Sequence, residues 1–279
     1  MKTNLKGFKA EGSIASLTPT VARLFATTAP ALAAEAPLES VVGLQQRVLG
    51  TEPIERCLIF CPDALGSHIW QSCGNQITAI TDYANLCVPV SSVLPPKTPV
   101  CFASMFTGGQ PADHGIQKYE RPVLACETLF DVLLQANKKI AIIAVADSSV
   151  DLIFRDREID YFSERYDGEV MDRAVATINE NRHDLVVVYQ QEYDDFLHKT
   201  EPFSDRCLRA VDNHVTSFVT VARAAMEAWR RHNNAIIFAP DHGAHVDAQS
   251  GHGDHGLDIP EDMNLLHWYG IYARCEDTS

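Results

Sequence analysis

Positive charge is scarce in this sequence. Lysine and arginine together number 23, against 37 aspartates and glutamates, and the formal net charge is -14 at pH 7. Proteins that bind nucleic acids need clustered lysine and arginine to displace counterions from the phosphates. The composition therefore argues against a nucleic-acid polymer as a partner. Any small anionic ligand would need local positive charge, such as metal ions.

Several familiar signatures are also missing. Eight cysteines are scattered without a C-x-x-C pair, and a chain of 279 residues does not need disulfide staples. No apolar run approaches the roughly 20 residues of a membrane span, and the basic N-terminal segment lacks the continuous apolar stretch of a secretion signal. We therefore predict a cytoplasmic protein with reduced, mostly buried thiols and no membrane contact. The absence of G-x-S-x-G and H-E-x-x-H argues against a serine esterase and a gluzincin-type protease.

Hydrophobic residues make up 46% of the chain, which is enough to bury a large core. Short β-rich runs alternate with helical patterns, and the runs are RCLIFCPD, LCVPVSSV, KKIAIIAVAD, DLVVVYQQEYD and NNAIIFAPDH. Such alternation predicts an α/β fold with a doubly wound, mainly parallel sheet and helices on both faces. We expect a single domain over residues 1–279, with residues 1–50 as an N-terminal helical segment packed on it.

Three of these runs finish in an aspartate. Asp63, Asp194 and Asp241 each end one run, and His242 directly follows Asp241. Ligands of open α/β sheets bind beyond the carboxyl ends of the strands, so we expect these side chains to converge there. A single aspartate at such a position is usually a turn former, but converging carboxylates repel unless protons or cations neutralise them. Carboxylates together with nearby histidines suit zinc or manganese better than calcium or magnesium.

The segment KTPVCFASMFTGG predicts a helix that begins at Thr98 and stops at Gly108-Gly109. Two interpretations of Thr98 are open. A threonine before a proline often caps a helix, because its hydroxyl accepts a backbone N–H. The same hydroxyl lies in the positive field of the helix, where an alkoxide or a phosphate oxygen is stabilised. Thr98 is therefore either a cap or a nucleophile.

Five motifs resemble, in the same order, those of the alkaline phosphatase superfamily, and most closely its nucleotide pyrophosphatase/phosphodiesterase-like branch. They are CPDALG, KTPVCFASMFTGGQPADHGI, YDDFLHKTEP, APDHG and GDHGLDIPEDMN. The similarity runs from Cys57 to Tyr272. It implies an alkaline phosphatase-like core and a metal-dependent hydrolase that acts on a small phosphorylated substrate. A phosphomonoester, a phosphodiester and a phosphonate all remain open as the substrate.

The same resemblance implies a dinuclear site with two divalent ions, zinc being favoured and manganese the alternative. Thr98 would be the nucleophile that forms a phosphothreonine intermediate. The ligands implied for one ion are Asp63, Thr98, Asp241 and His242, and those for the other are Asp194, His198 and His255. Spacing supports one pair independently, because Asp194 and His198 stand four residues apart and meet if DDFLH is one helical turn.

Two positions leave alternatives open. His255 is favoured as a ligand because HGLD followed by MN matches the terminal motif of the family, but His252 is a competing candidate and His245 is also close in sequence. The branch uses an asparagine after H-G-I to hold a phosphate oxygen, whereas this chain reads QKYE there. Lys118 or Gln117 is expected to replace the asparagine, although most lysines are solvated surface charges. A substrate contact from Lys118 would favour a dianionic monoester or phosphonate.

Two other functions compete with hydrolysis. One is a non-catalytic metal- or phosphate-binding relative that kept the fold, and the other is a phosphotransferase that passes the group to an alcohol. A degenerate relative should have lost ligands or the nucleophile, yet all seven implied positions hold suitable groups. The sequence does not determine the substrate or the oligomeric state.

Overall fold

An eight-stranded sheet forms the centre of the chain, in a computed structural model that describes residues 7–276. The strands are β1 (Gly12–Ser13), β2 (Arg56–Pro62), β3 (Leu86–Ser91), β4 (Ile140–Val145), β5 (Asp160–Glu164), β6 (Leu185–Gln190), β7 (Asn234–Phe238), β8 (His245–Val246), β9 (Gly253–Asp254) and β10 (Asn264–Tyr272). The order in the sheet is β1-β3-β10-β7-β2-β6-β4-β5, and β8 pairs with β9 in a separate hairpin.

The helices are α1 (Leu17–Leu24), α2 (Glu39–Leu49), α3 (Gly74–Thr81), α4 (Thr98–Thr107), α5 (Pro111–His114), α6 (Leu129–Gln135), α7 (Ser149–Ile153), α8 (Asp167–Asn179), α9 (Glu192–Leu197), α10 (Asp205–Ala228) and α11 (Pro260–Met263). Two short 3₁₀ helices span Ile14–Ser16 and Ser67–Gln71.

The sheet is mainly parallel, as predicted. Strands β7, β2, β6, β4 and β5 pair in parallel, while β10 runs antiparallel to both β3 and β7. The sequence reasoning did not anticipate β10 or the short edge strand β5. The run NLLHWYGIY is rich in aromatic and apolar residues, a composition typical of strands, and this signal was available.

Alternate residues of each strand point to opposite sides of the sheet. Both faces are apolar, and helices cover both of them. In β2, Cys57, Ile59 and Cys61 face one apolar cluster, whereas Leu58 and Phe60 face the other. The first cluster includes buried residues of α1, α2, α4, α6 and α7, and the second includes buried residues of α3, α8, α9 and α10. The doubly wound α/β arrangement is therefore confirmed.

The N-terminal helices α1 and α2 contribute to the first cluster. The Thr18 hydroxyl donates to the carbonyl of Met105 (2.7 Å), which ties α1 to α4. The expectation for residues 1–50 also covers residues 1–6, which lie outside the described residues. Over residues 7–276, no helix is both long and apolar enough to cross a membrane. All eight cysteines are unpaired in this described range, and five of them are buried.

Candidate metal centre

The predicted acidic residues lie at the carboxyl ends of three adjacent strands. Asp63 directly follows β2, and Asp241 follows the end of β7 by three residues. Asp194 differs from the expectation, because β6 ends at Gln190 and Asp194 belongs to helix α9. The chain turns into this helix because the Asp167 carboxylate accepts the backbone N–H groups of Gln191 (3.0 Å) and Glu192 (2.9 Å).

One group of potential ligands lies beside Thr98. His242 Nε2 is 3.4 Å from Asp63 Oδ1 and 3.4 Å from Asp241 Oδ2. Thr98 Oγ1 is 3.3 Å from the same nitrogen. Asp63, Asp241 and His242 are each almost completely buried. Four potential ligand groups from three separate segments of the chain therefore converge on one point.

The second group consists of Asp194, His198 and His255. Asp194 Oδ1 lies 3.4 Å from His198 Nε2 and 3.5 Å from His255 Nε2, and the two nitrogens are 3.2 Å apart. Helix α9 carries Asp194 and is followed directly by His198, so the pair meets across one helical turn. The His255 ring stacks on the His242 ring with centroids 4.0 Å apart, so the two groups are neighbours.

One carboxylate oxygen of each aspartate lacks a hydrogen-bond partner. Asp63 Oδ1, Asp194 Oδ1 and Asp241 Oδ2 are all buried orphans, and they are the same atoms that face the histidine nitrogens. A buried polar atom without a partner costs about 1–3 kcal/mol, more when it is charged. This cost disappears if a cation binds at the orphaned oxygens.

The histidine tautomers agree with this interpretation. Each ring donates its Nδ1–H to a backbone carbonyl, His242 to Gly243 (3.0 Å), His255 to Pro96 (2.8 Å) and His198 to Gly253 (3.1 Å). In a neutral ring the Nε2 atom then carries a lone pair, which points at the carboxylate oxygens. Histidines that ligate metals usually donate their other N–H in this way.

The ligand atoms of each group lie close enough together to share one cation. Four ligands in a regular tetrahedron at about 2.0–2.1 Å from a metal are separated by about 3.3 Å. An octahedron at about 2.0–2.1 Å, as magnesium prefers, separates neighbouring ligands by about 2.9 Å. The six distances measured in the two groups are 3.2 to 3.5 Å. Carboxylate and imidazole donors at this spacing suit a divalent ion such as zinc or manganese.

Burial and neighbouring charges shift the pKa values of these groups. Burial, with the charges of Asp241 and Asp194 added, raises the pKa of Asp63 well above its usual value. Burial raises the pKa of Asp241 to about 8 and lowers the pKa of His242 and His255 to about 3. The Asp194 carboxylate, whose Oδ1 lies 3.4 Å from His198 Nε2, raises the pKa of His198. Without a cation, the buried carboxylates therefore favour protonation, whereas His242 and His255 remain neutral.

Thr98 begins helix α4, and Lys97 rather than Thr98 occupies the capping position before it. The threonine hydroxyl donates to His242 Nε2 instead of accepting a backbone N–H, so its geometry differs from that of a helix cap. The Lys97 ammonium donates to the backbone carbonyl of His255 and lies 3.6 Å from Asp254 Oδ1. Lys97 thereby links the start of α4 to the loop that carries His255.

Tyr189 was not anticipated by sequence reasoning. Its hydroxyl donates a hydrogen bond to Asp63 Oδ2, the oxygen that does not face His242. Asp241 is oriented in a similar way, since its Oδ1 accepts the backbone N–H of Ala64 (3.2 Å). Each aspartate thus uses one oxygen for orientation and leaves the other free. Tyr189 lies within a buried strand, where a phenol usually reflects packing, so its spacing carried no functional signal.

A buried carboxylate shapes the loop that carries His255. Asp262 Oδ2 accepts the backbone N–H groups of Gly256 (2.8 Å) and Leu257 (2.9 Å), and its Oδ1 pairs with His245 Nδ1 at 2.8 Å. His245 is therefore engaged away from Asp194. His252 is exposed, whereas His255 is buried beside Asp194. Of the three candidate histidines, His255 is the one that joins the group.

A cavity of about 150 Å³ opens beside Thr98. Its wall is polar and consists of Asp63, Thr98, Tyr119, Arg121, Ala146, Asp147, Ser148, Ser149, Tyr189, Gln191, Asp194 and Asp195. Asp195 Oδ2 accepts the Tyr166 hydroxyl (2.8 Å) and so is held away from the group of Asp194. Lys118 does not belong to this wall: its side chain is 77% exposed and its ammonium lies 3.5 Å from Glu120. The expected substrate contact of Lys118 stays a prediction.

The fold is shared with solved structures of divergent sequence. Phosphonoacetate hydrolase from Sinorhizobium meliloti 1021, in complex with phosphonoacetate, matches 71% of the chain with a TM-score of 0.54 and 15% identity. Murine ectonucleotide pyrophosphatase/phosphodiesterase 5, in an inactive form with AMP, matches 70% with a TM-score of 0.55 and 17% identity. The human counterpart matches 69% with a TM-score of 0.52 and 13% identity.

The matched part is 58 to 59% of the length of these proteins. No protein-family model and no curated protein matches the sequence. At these identities the similarity establishes a common fold, which the five motifs had led us to expect.

Proposed function

We propose that this chain, which has the fold of the alkaline phosphatase superfamily, is a metal-dependent hydrolase of phosphate esters or phosphonates. The observation that carries the proposal is the pair of ligand groups beside Thr98, in which three orphaned carboxylate oxygens face three imidazole nitrogens. A structural role alone does not explain why three buried carboxylate oxygens should be left without hydrogen-bond partners at one edge of the sheet.

Two divalent ions, with zinc favoured over manganese, account for this arrangement. Asp63, Asp241 and His242 would hold one ion together with Thr98, and Asp194, His198 and His255 would hold the other. When bound, such ions neutralise charge on the phosphoryl group and lower the pKa values of a threonine hydroxyl and of water.

The chain itself supplies the nucleophile and its orientation. The Thr98 hydroxyl loses its proton to solvent, and its Oγ1 forms a bond to phosphorus while the bond from phosphorus to the leaving group breaks. The leaving group departs with the electron pair and takes a proton from water. A water molecule then attacks the phosphothreonine, the bond between phosphorus and Oγ1 breaks, and Thr98 regains its proton as phosphate is released.

The substrate is proposed to be small. The cavity of about 150 Å³ beside Thr98 has a polar wall, which suits a phosphoryl group. The ligands in the related structures, phosphonoacetate and AMP, illustrate a phosphonate and a phosphomonoester. A phosphotransferase differs only in the acceptor, so the ratio of phosphate to phosphorylated alcohol in glycerol-containing buffer distinguishes it from a hydrolase.

Elemental analysis tests the metal content. We expect close to two zinc or manganese ions per chain after dialysis. Removal by a chelator should abolish turnover of chromogenic phosphate esters, and readdition should restore it. Full activity in metal-free protein would contradict the proposal.

Trapping tests the role of Thr98. A reaction with labelled substrate, quenched in acid and mapped by mass spectrometry, should show phosphate on Thr98. Thr98→Ala should abolish turnover while the protein remains folded and keeps most of its metal, because the other ligands remain. Thr98→Ser should retain measurable activity, since the attacking oxygen survives. If Thr98 only began a helix, the alanine variant would still turn over substrate.

A further inference from the structure

The cavity beside Thr98 has an unbalanced charge. Its wall contains the carboxylates of Asp63, Asp147, Asp194 and Asp195, and Arg121 is its one basic side chain within the described residues. A substrate phosphoryl group is itself negative, so a basic group in this wall has a direct electrostatic effect on binding. Arg121 lies three residues beyond Lys118, in the segment where the resemblance led us to expect a phosphate-binding side chain.

Arg121 is held at the cavity by the loop that follows β4. Its Nη1 group donates to the backbone carbonyl of Asp147. Asp147 adopts a left-handed conformation with φ 60°. Its N–H donates to Asp151 Oδ2 (3.0 Å). Asp151 is itself buried, accepts the Ser163 hydroxyl (2.6 Å) and pairs with Arg155.

The guanidinium group still has donors to offer. No carboxylate forms an ion pair with Arg121 within residues 7–276. Of the N–H groups of Arg121, one donates to the Asp147 carbonyl. Arginine carries five N–H donors in a planar fork that matches two phosphate oxygens. Lys118 differs, because its ammonium lies 3.5 Å from the Glu120 carboxylate and its side chain does not line the cavity.

We infer that Arg121 binds the nonbridging phosphoryl oxygens of the substrate and so selects a dianionic monoester or phosphonate over a monoanionic diester. The inference rests on the proposed function, since it concerns the same site. A fixed positive charge interacts more strongly with two negative charges than with one, and a methylated oxygen removes one acceptor from the arginine fork.

A matched pair of substrates tests the selectivity of the zinc-loaded, full-length protein. 4-Nitrophenyl phosphate and methyl 4-nitrophenyl phosphate share a leaving group and differ in one methylated oxygen. Loss of a hydrogen bond to a charged group corresponds to about 10- to 100-fold, so Arg121→Gln should lower kcat/KM for the monoester by about 30-fold. The same variant should lower kcat/KM for the diester by only about 3-fold, because the diester already lacks one charge and one acceptor. For the monoester, kcat/KM of Arg121→Lys should lie between the values of the wild-type protein and Arg121→Gln.

Two further variants serve as comparisons. Arg165→Gln removes an exposed guanidinium that pairs with Glu169 outside the cavity wall. It should leave kcat/KM unchanged for both substrates. Lys118→Gln tests the competing assignment. Equal losses on both substrates in Arg121→Gln, or a selective loss in Lys118→Gln alone, would overturn the inference.

Binding separates this inference from the proposed function. Zinc-loaded Thr98→Ala is titrated by calorimetry with phenylphosphonate and with its monomethyl ester, with and without Arg121→Gln. A preference for phenylphosphonate that falls about 10-fold with Arg121→Gln supports the inference even if the wild-type protein turns over no substrate. If the wild-type protein turns over substrate normally but Arg121→Gln leaves the binding preference for phenylphosphonate unchanged, the inference is wrong and the proposed function stands. Failure of phenylphosphonate to bind also overturns it.

Discussion

At the residue scale, the two oxygens of Asp63 serve different purposes. Oδ1 is orphaned and faces His242, while Oδ2 accepts the Tyr189 hydroxyl. A partner that orients a metal ligand typically changes metal affinity by about 10- to 100-fold when it is removed. Tyr189→Phe should therefore weaken zinc binding by at least about 10-fold while the fold is retained. Competition with a chromophoric chelator measures the affinity.

Tyr269→Phe is the matched control for this change. Tyr269 is equally buried, and its hydroxyl lies near His267 rather than near a candidate ligand. It should leave zinc affinity within about 3-fold of wild type, well below the effect of removing a partner of a ligand. Equal affinities for the two variants would show that Tyr189 does not support a metal ligand.

At the element scale, the loop after β7 depends on a close backbone approach at Gly243. A Cβ atom there would lie 2.0 Å from the carbonyl oxygen of Glu261 and 2.8 Å from Cα of Gly66. Both neighbours are backbone atoms, so the loop must shift, and it carries Asp241 and His242. Gly243→Ala should destabilise the fold by roughly 1–3 kcal/mol, as overpacking usually does, and should reduce zinc retention. Urea unfolding and elemental analysis measure the two effects.

Gly168→Ala provides the comparison, since a Cβ atom added at this position of helix α8 would meet no neighbouring atom within 4 Å. Alanine is a better helix former than glycine, so this variant should be stabilised by roughly 0.5–1 kcal/mol with unchanged zinc content. Wild-type stability and zinc content in Gly243→Ala would contradict the proposed packing constraint.

At the scale of the whole molecule, stability should depend on buried neutral histidines. His267 in β10 is almost fully buried and donates Nε2–H to the Pro240 carbonyl (2.8 Å), and burial lowers its pKa to about 4. Unfolding restores a pKa near 6.5, so the unfolded chain binds more protons between pH 4 and about 6.5. The contribution of His267 is therefore present above pH 6.5 and is lost as the pH falls toward 4.

His267→Gln removes this titration and keeps an N–H donor for Pro240. Between pH 7 and pH 5, the free energy of unfolding of the variant should rise by about 2 kcal/mol relative to wild type. Urea unfolding of metal-free protein at both pH values measures the difference and avoids metal release as a variable. A constant difference between the two proteins would mean that His267 does not titrate differently in the folded and unfolded chain.

The sequence by itself determined the α/β class, the mainly parallel sheet and the strand ends as the place where acidic side chains collect. These features follow from local patterns, because apolar periodicity and the residues at strand ends are written along the chain. The motifs also pointed to Thr98 and to each residue of the two ligand groups, although their metal-binding roles remain proposals.

Only the tertiary structure decided which side chains support that site. Tyr189 approaches Asp63 from β6, and Arg121 enters the cavity because its guanidinium reaches a carbonyl in the loop after β4. His255, rather than His252, comes beside Asp194 because Asp262 holds the intervening loop. Each of these contacts joins residues distant in the chain or depends on the path of a loop. Local periodicity carries no information about such contacts, since they arise only when the packed sheet brings its strand ends together.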